Sequence, residues 1–579
     1  MTMLTKWGAV LDRSCPLPEY PRPQLRRESF YNLNGVWDYA VTPSGEEPEV
    51  WDGEIVVPFS PEAPLSGAAR GPAKDEYLHY RRGFTLPEGF QKSRVLLHFG
   101  AVDQIAEVFV NGVSAAKHSG GYWPFSADIT SLLREGENIL RVTVRDNADD
   151  PTFAYGKQRY KRGGMWYTAQ SGIWQTVWLE SVPEVYVKSL RITPEFDEAR
   201  VRIELETALE SSAAITCDVR AADGSFVAGS WAKGGVCVVP LPGFRAWTPD
   251  DPYLYTLDIT CGEDHVESYF AMRKFSYVEL GGHKVFGLNN APLFHNGLLD
   301  QGYYPDGLLT PPSDEAMVND IETMKRCGFN MLRKHIKIEP LRWYYHCDRL
   351  GMIVWQDMVS GGQPYSFLRV SALPTLGKVD LPDQDAKPYG RSGVLSRARF
   401  RREMADTVRL LYNCPCIALW TVFNEGWGQF DALDMANELK KLDPTRFIDH
   451  ASGWQDQGYE EMKSRHIYFR PVKLKNDGRA LALTEYGGYI LAVDGHRWTD
   501  KVFGYRICRD SAALAHDYEK LMLGQVLPHI RKEGLTAAVY TQITDVEEEL
   551  NGLMTYDREV LKIPEETLRE INAALRFDA

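Results

Sequence analysis

The sequence predicts a multidomain protein with an all-β jelly-roll sandwich, an immunoglobulin-like β-sandwich and a C-terminal (β/α)8 TIM barrel. Three observations predict this. A chain of 579 residues is longer than one hydrophobic core organises. Up to about residue 280, apolar residues alternate with a period of two between polar turns. Beyond that point, eight short apolar runs alternate with stretches of helical period that carry capping signals.

Residues 1–182 contain the runs GVWDYAV, YRRGFTL, RVLLHFG, AEVFVNG, NILRVTVRD and IWQTVWLE. Many short strands without a helical period fold as a sandwich or jelly roll. Asn111-Gly112 between two of them is a two-residue hairpin signal, because both positions tolerate positive φ. Residues 183–278 hold a second series, including VYVKSLRITP, ARVRIELETAL, AAITCDVRA, YLYTLDIT and VESYFAMRKF. About seven short strands in under 100 residues fit an immunoglobulin-like sandwich, with no Cys-Trp-Cys core evident.

Residues 279–579 supply eight candidate barrel strands, LFHNGLL, NMLRKHI, MIVWQDM, IALWTVFNE, FIDHAS, HIYFRP, LALTEYG and AAVYTQIT. Between the first two, Ser313 is placed to cap a helix and Asp314 and Glu315 to sit at its positive end. Met317, Ile321 and Met324 form its apolar stripe, and Gly328 ends it. EPLRWYYHCDRLG and SRARFRREMADTVRLLYN read as the next helices. The Gly/Pro-rich stretch 359–395 is long enough for a lid or binding loop.

A net charge of −14 argues against nucleic acid or an anionic membrane as the partner. No apolar stretch is long enough to span a bilayer, and the first twenty residues lack the apolar core of a secretory signal. The nine cysteines include no C-x-x-C pair. Reduced, mostly buried thiols in a cytoplasmic protein are the reading, with a mature secreted form left open. There is no P-loop, no G-x-G-x-x-G after a strand, no G-x-S-x-G elbow and no H-E-x-x-H, so no cofactor and no metal is expected.

Barrel active sites collect at the C-terminal ends of the strands. Those ends carry Asp300, His335, Asp357, Asn424, Glu425, Trp454, Tyr468, Glu485 and Gln542. Glu425 and Glu485 each sit where an apolar run breaks into a Gly-rich loop. Two carboxyl groups across one mouth suit glycosidic bond cleavage, one donating a proton and the other attacking the anomeric carbon. Asn424 is placed to hold a sugar hydroxyl, and Tyr468 to donate to Glu485, whose charge should raise the pKa of Glu425. Trp427 and Trp454 lie beside glycines, where they either stack on a sugar face or fill core. His335 is either a substrate ligand or a satisfied core histidine, and Asp300 and Asp357 are either ligands, partners of Arg333 or loop caps. The acidic run Asp545–Glu549 reads as a solvated loop.

Several segments together resemble glycoside hydrolase family 2 over nearly the whole chain. In the first domain these are YLHYRRGFTLP, FGAVDQIAEVFVNG, GGYWPFSADITSLL and SGIWQTVWLE; in the barrel, FNEGWGQF and LTEYGGY. The resemblance implies an exo-acting retaining β-glycosidase of the same three-part architecture. It assigns acid/base to Glu425 after Asn424, nucleophile to Glu485 and a substrate contact to His335, with Asp300 at the position after the first strand. For the sugar it is divided. VWQDM resembles the β-mannosidase branch and TEYG the β-glucuronidase branch. The Asn-x-Lys pair of β-glucuronidases is not recognisable near Asn551-Gly552-Leu553. The paired histidines of the β-galactosidase branch are replaced by Leu299-Asp300-Gln301, so that branch's magnesium and sodium ligands do not carry over. β-Galactosidase is ranked first on family frequency, with β-mannosidase, β-glucuronidase or a non-catalytic carbohydrate-binding relative as alternatives. The expected partner is a carbohydrate, and the large sandwich surfaces are compatible with a homo-oligomer.

Overall fold

The computed structural model describes residues 3–209, 214–376 and 380–578. The first domain packs a four-stranded sheet (Tyr31–Asn32, Val177–Val182, Arg94–Phe99, Phe125–Asp128) against a six-stranded one. The latter runs Gly53–Val57, Gly35–Thr42, Tyr77–Thr85, Glu137–Arg145, Ile105–Val110, Val113–Ser119. Alternation along the strands sends Trp37, Tyr80, Leu97, Val108 and Val142 into one shared core. Asn111 and Gly112 adopt φ of 52° and 84°, so the two-residue turn joins Val110 to Val113 as the sequence requires.

The second domain has the anticipated seven strands, between Val187 and Phe270. Three lie in one sheet and four in the other, around Ile203, Cys217, Val219, Cys237 and Leu257. Buried Arg27 ties this sandwich to the first domain. Its guanidinium donates to Asp264 at 2.9 and 2.8 Å and to Glu180 at 3.1 Å, so three groups costly to bury alone satisfy one another.

All eight expected barrel strands form: His295–Asp300, Met331–Lys334, Ile353–Asp357, Ile417–Thr421, Phe447–Asp449, Met462–Ile467, Ala480–Gly487 and Leu535–Thr541. They are parallel in the order fifth-fourth-third-second-first-eighth-seventh-sixth. A side chain joins the fifth and sixth, since Ser464 Oγ donates to Asp449 Oδ1 at 2.9 Å. The helix Asp314–Arg326 is capped by Ser313, whose hydroxyl accepts from the Ala316 amide. Strict alternation with helices fails in two places: among the described residues no helix lies between the fifth and sixth or the sixth and seventh strands. The connections at 450–461 and 468–479 carry Gly453, Gly458, Pro471 and Gly478, which interrupt a helical period.

A three-stranded sheet (Phe275–Leu280, His283–Leu288, Ala291–Pro292) runs across residues 278 and 279, where the second and third domains were expected to divide. It covers the N-terminal end of the barrel, with Phe286 stacked on Phe447 at a centroid distance of 4.2 Å. Only the opposite, C-terminal mouth is left for chemistry.

The first domain reaches that mouth. Residues 146–176 leave the jelly roll, and Tyr155 N donates to Ser360 O at 3.1 Å. The stretch then meets the acidic run. Glu547 accepts from Thr168 N and Glu548 from Gly164 N, both at 2.8 Å, and Glu549 accepts from the Tyr167 hydroxyl. Asp545, Glu547 and Glu549 are 1%, 2% and 5% exposed, so the expectation of a solvated loop is wrong. Charge density alone carried that expectation, and it cannot register donors brought in from nearly 400 residues away.

Candidate active site

The fourth strand ends at Thr421, and the chain continues through Asn424 to Glu425, whose amide donates to Ser452 O at 2.9 Å. Glu425 sits in the left-handed region (φ 53°), a conformation that a non-glycine residue adopts only when its surroundings hold it there. Glu485 lies on the seventh strand, two residues before Gly487. A Cβ at Gly487 would come 2.2 Å from the Tyr540 ring, so the turn after Glu485 requires glycine.

These elements bring the two glutamates together. One carboxylate oxygen of each, and a ring nitrogen of His466, lie within 4.8 Å of one another. His466 Nδ1 is 2.8 Å from Glu425 Oε1 and 3.5 Å from Glu485 Oε2. Its Nε2 lies 3.3 Å from the Ser452 hydroxyl, which can donate to it, and faces the Arg333 guanidinium, which only donates, so Nε2 is assigned as the unprotonated nitrogen. The hydrogen then sits on Nδ1, between the carboxylates. Burial pushes the imidazole pKa down to about 3, which keeps it neutral.

Fully buried Arg333, on the second strand, organises the floor. Its five N–H groups have five acceptors. Asp357 takes two at 3.0 Å, Glu485 Oε1 and Thr484 O take one each at 3.1 Å, and Asn424 Oδ1 takes one at 2.8 Å. Tyr468 donates to the other oxygen of Glu485 at 2.6 Å and stacks on Tyr505 at 3.9 Å. Both oxygens of Glu485 are therefore fixed as acceptors.

Glu425 has different surroundings. His466 is its hydrogen-bond partner, and a fifth of its side chain stays open. Burial pushes its carboxyl up to about 7, against the pull of Lys157 and Arg333. The cause differs from the one anticipated, which was the charge of Glu485. Asn424 turns its carbonyl to Arg333, which orients the amide and leaves its NH2 to donate to a ligand.

The remaining expected residues divide. Trp427 and Trp454 line a cleft beside Glu425, together with Asn424, Lys157, Met165, Trp166 and Tyr365. Asp357 is 1% exposed and gives its oxygens to Arg333 and to His335 Nδ1 at 2.9 Å; it lies behind the site and positions other residues. Burial pushes the carboxyl up, yet Arg333 and His335 overcome this and hold it at about 2. His335 is itself pushed down to about 3 by burial. Asp300 accepts from Lys334 Nζ at 2.6 Å and from Gly302 N at 2.8 Å, and touches neither glutamate.

Sequence reasoning missed His466, Tyr505, Lys157 and Trp166, and knew Arg333 only as an alternative partner. His466 had a signal, since it lies two residues before Tyr468 and so on the same face of the chain. The trio Glu425, His466 and Glu485 is also a set of metal-type donors, but mutual hydrogen bonding and the Arg333 charge on Glu485 already account for it.

A jelly roll and a sandwich attached to a parallel barrel, with one buried and one partly open carboxyl group facing each other at its C-terminal mouth, define a multidomain barrel protein whose candidate site is a carboxyl pair. The family's profiles match three consecutive stretches: "Glycosyl hydrolases family 2, sugar binding domain" over residues 64–183, "Glycosyl hydrolases family 2" over 185–273, and its TIM barrel domain over 311–474. The chain belongs to glycoside hydrolase family 2.

Among curated relatives, a Halalkalibacterium halodurans β-galactosidase is 23% identical over 502 residues, 78% of this chain and 45% of that protein. A Paenibacillus borealis β-glucuronidase is 22% identical over 536 residues, 82% and 85% of the two chains. The chain spans about half the length of the first β-galactosidases it matches, 45% and 47%. Solved structures agree on the fold. A Dictyoglomus thermophilum β-glucuronidase superposes with a TM-score of 0.73 at 18% identity, covering 96% of this chain and 98% of that one. A galacturonate-bound β-galacturonidase from Eisenbergiella tayi gives 0.71 at 19% identity, covering 96% and 100%.

Proposed function

We infer that this chain is a retaining exo-β-glycosidase that hydrolyses terminal β-linked sugars by double displacement. One observation carries the reading: carboxylate oxygens of Glu425 and Glu485 lie within 4.8 Å, in unlike surroundings. Retaining enzymes hold their two carboxyl groups about 5–5.5 Å apart, whereas inverting ones need about 6.5–9.5 Å to admit a water.

In this mechanism Glu485, oriented by Arg333 and Tyr468, attacks the anomeric carbon. Glu425, desolvated and raised to about 7, protonates the departing oxygen near neutral pH. The leaving group exits, and the Glu425 carboxylate takes a proton from water, which attacks the glycosyl-Glu485 ester with a second inversion. The Asn424 NH2 is suited to the sugar's 2-hydroxyl, a contact that strengthens in the transition state. His335, Trp427 and Trp454 frame the substrate.

β-Galactoside is the first reading of the sugar, supported by relatives that carry that name. A β-glucuronide is the second, favoured by the Paenibacillus borealis protein, matched over 85% of its length. Release of nitrophenol from a panel of β-galactoside, β-glucuronide and β-mannoside substrates tests both. NMR of the first-formed sugar tests the mechanism: β-anomer first supports it, and α-anomer first excludes retention.

A further inference from the structure

The cleft beside Glu425 is lined by Lys157, Met165, Trp166, Tyr365, Trp427 and Trp454, meets Asn424 and Glu425, and includes neither Glu485 nor Tyr468. Under the double-displacement reading, on which this inference rests, the acid/base faces the departing oxygen and the nucleophile faces the anomeric carbon. A cleft that touches the acid but not the nucleophile extends to the leaving-group side of the scissile bond, with Asn424 shared between it and the sugar. Its walls are aromatic, which suits the flat face of a ring.

Lys157 is the unusual member. It comes from the first domain, at the tip of the excursion that crosses onto the barrel. Among the described residues its ammonium makes no ion pair and no hydrogen bond, and the nearest aromatic contact is the Trp166 ring at 5.7 Å. The acids on the facing run accept their hydrogen bonds from other groups, Glu547 from Thr168, Glu548 from Gly164 and Glu549 from Tyr167, and Lys157 acts on Glu549 and Glu425 through its charge without a direct contact. Glu425, whose carboxyl is raised to about 7, does not offer a permanent counter-charge. Two further donors line the same pocket. Trp427 and Trp454 are 4% and 8% exposed, and among the described residues the buried indole N–H of each has no acceptor. Half-buried charge and unsatisfied donors are costly unless a ligand completes them.

We propose that Lys157 makes this pocket a leaving-group subsite for a ring carrying an anionic substituent, a carboxylate or sulfate, which the ammonium pairs with while Trp166, Trp427 and Trp454 enclose the ring. Two sources share that chemistry: an acidic sugar at the reducing side of the scissile bond, and an aromatic acid. The first domain then sets which glycosides the barrel accepts.

The test is the ratio of kcat/KM for an acidic substrate to that for its neutral counterpart, in wild type, Lys157→Met, Lys157→Gln and Lys157→Arg. One arm compares carboxylated with plain nitrophenyl glycosides, the other a disaccharide ending in a uronic acid with its neutral equivalent. The ratio should fall ~10- to 100-fold in the methionine and glutamine variants, mostly through KM, and recover largely in the arginine variant. The arm that shows the fall identifies the source. In wild type the preference for the acidic member should weaken with added salt. An unchanged ratio in both arms, with wild-type hydrolysis intact, overturns this proposal alone. Hydrolysis of none of these substrates by wild type overturns the glycosidase reading and this proposal with it.

Discussion

His466 Nδ1 stands 2.8 Å from Glu425 Oε1, on the side that also faces Glu485. A neutral imidazole there donates one hydrogen between two carboxyl groups and holds the acid at its reacting distance without adding a charge. Replacing it by alanine removes what is, among the described residues, the one hydrogen bond to the Glu425 carboxyl. We expect His466→Ala to lower kcat by about 100-fold, the scale of a misplaced catalytic group. A shifted basic limb of the kcat/KM profile should accompany the loss, because Glu425 loses a donor that favours its ionised form. A fall in kcat with an unmoved limb would limit His466 to packing.

Arg333→Met should be strongly destabilising. The change keeps the aliphatic stem but leaves Asp357 and Glu485 without their buried counter-charge, and breaking a buried ion pair by removing one partner costs about 3–5 kcal/mol. Urea unfolding with an unchanged slope and a lower midpoint is the expected result. An unmoved midpoint would mean that water already solvates the two acids.

Tyr468→Phe removes the 2.6 Å hydrogen bond to Glu485. A hydrogen bond to a charged group is worth about 1.5–3 kcal/mol, so kcat/KM should fall by roughly 10- to 150-fold with stability nearly unchanged. Equal losses in kcat and in stability would place Tyr468 in the framework rather than in the chemistry.

Stability should decline as pH rises from about 7 to 8. Burial raises Glu62, Asp103 and Glu425 to about 7 and Glu403 to about 8, above the ordinary values of 4.5, 3.8, 4.5 and 4.5. Below about pH 6.5 buried histidines oppose them, because His295, His335 and His466, held at about 3, stay neutral in the folded chain and take up protons on unfolding. Above that value unfolded histidines are mostly neutral, the raised carboxyls leave the folded chain with more protons than the unfolded one, and each step up in pH favours unfolding. Asp357, Asp314 and Asp443, held at about 2, titrate below the window and do not oppose the trend. Melting temperatures measured at constant ionic strength from pH 7 to 8 should fall, whereas a rise would show that these acids are ionised in the folded chain.

Much of the frame was legible because local pattern and burial coincide there. Each barrel strand is a short apolar run, and Glu425 and Glu485 stand out as charges at the ends of two of them. Tyr468 followed by the same logic. His466 stands in phase with it two residues earlier, but no motif around it marks it as part of the site. The rest depended on long-range packing. Nothing near Lys157 in the sequence says that an N-terminal sandwich delivers it to a barrel mouth. Nothing near Glu547 says that its partner is Thr168. Asp357 shows the converse: its position at a strand end was read correctly, but the Arg333 fork that occupies it belongs to another strand.

The central claim is that Glu485 is the nucleophile of a two-step displacement. Mass spectrometry of the protein treated with a 2-deoxy-2-fluoro glycoside of the hydrolysed sugar tests it most directly, since such reagents slow breakdown of the glycosyl–enzyme ester. The account predicts one added sugar per chain, on the peptide containing Glu485, and none after Glu485→Ala. A label on Glu425 or elsewhere, or turnover of the parent glycoside by Glu485→Ala at the wild-type rate, would contradict it.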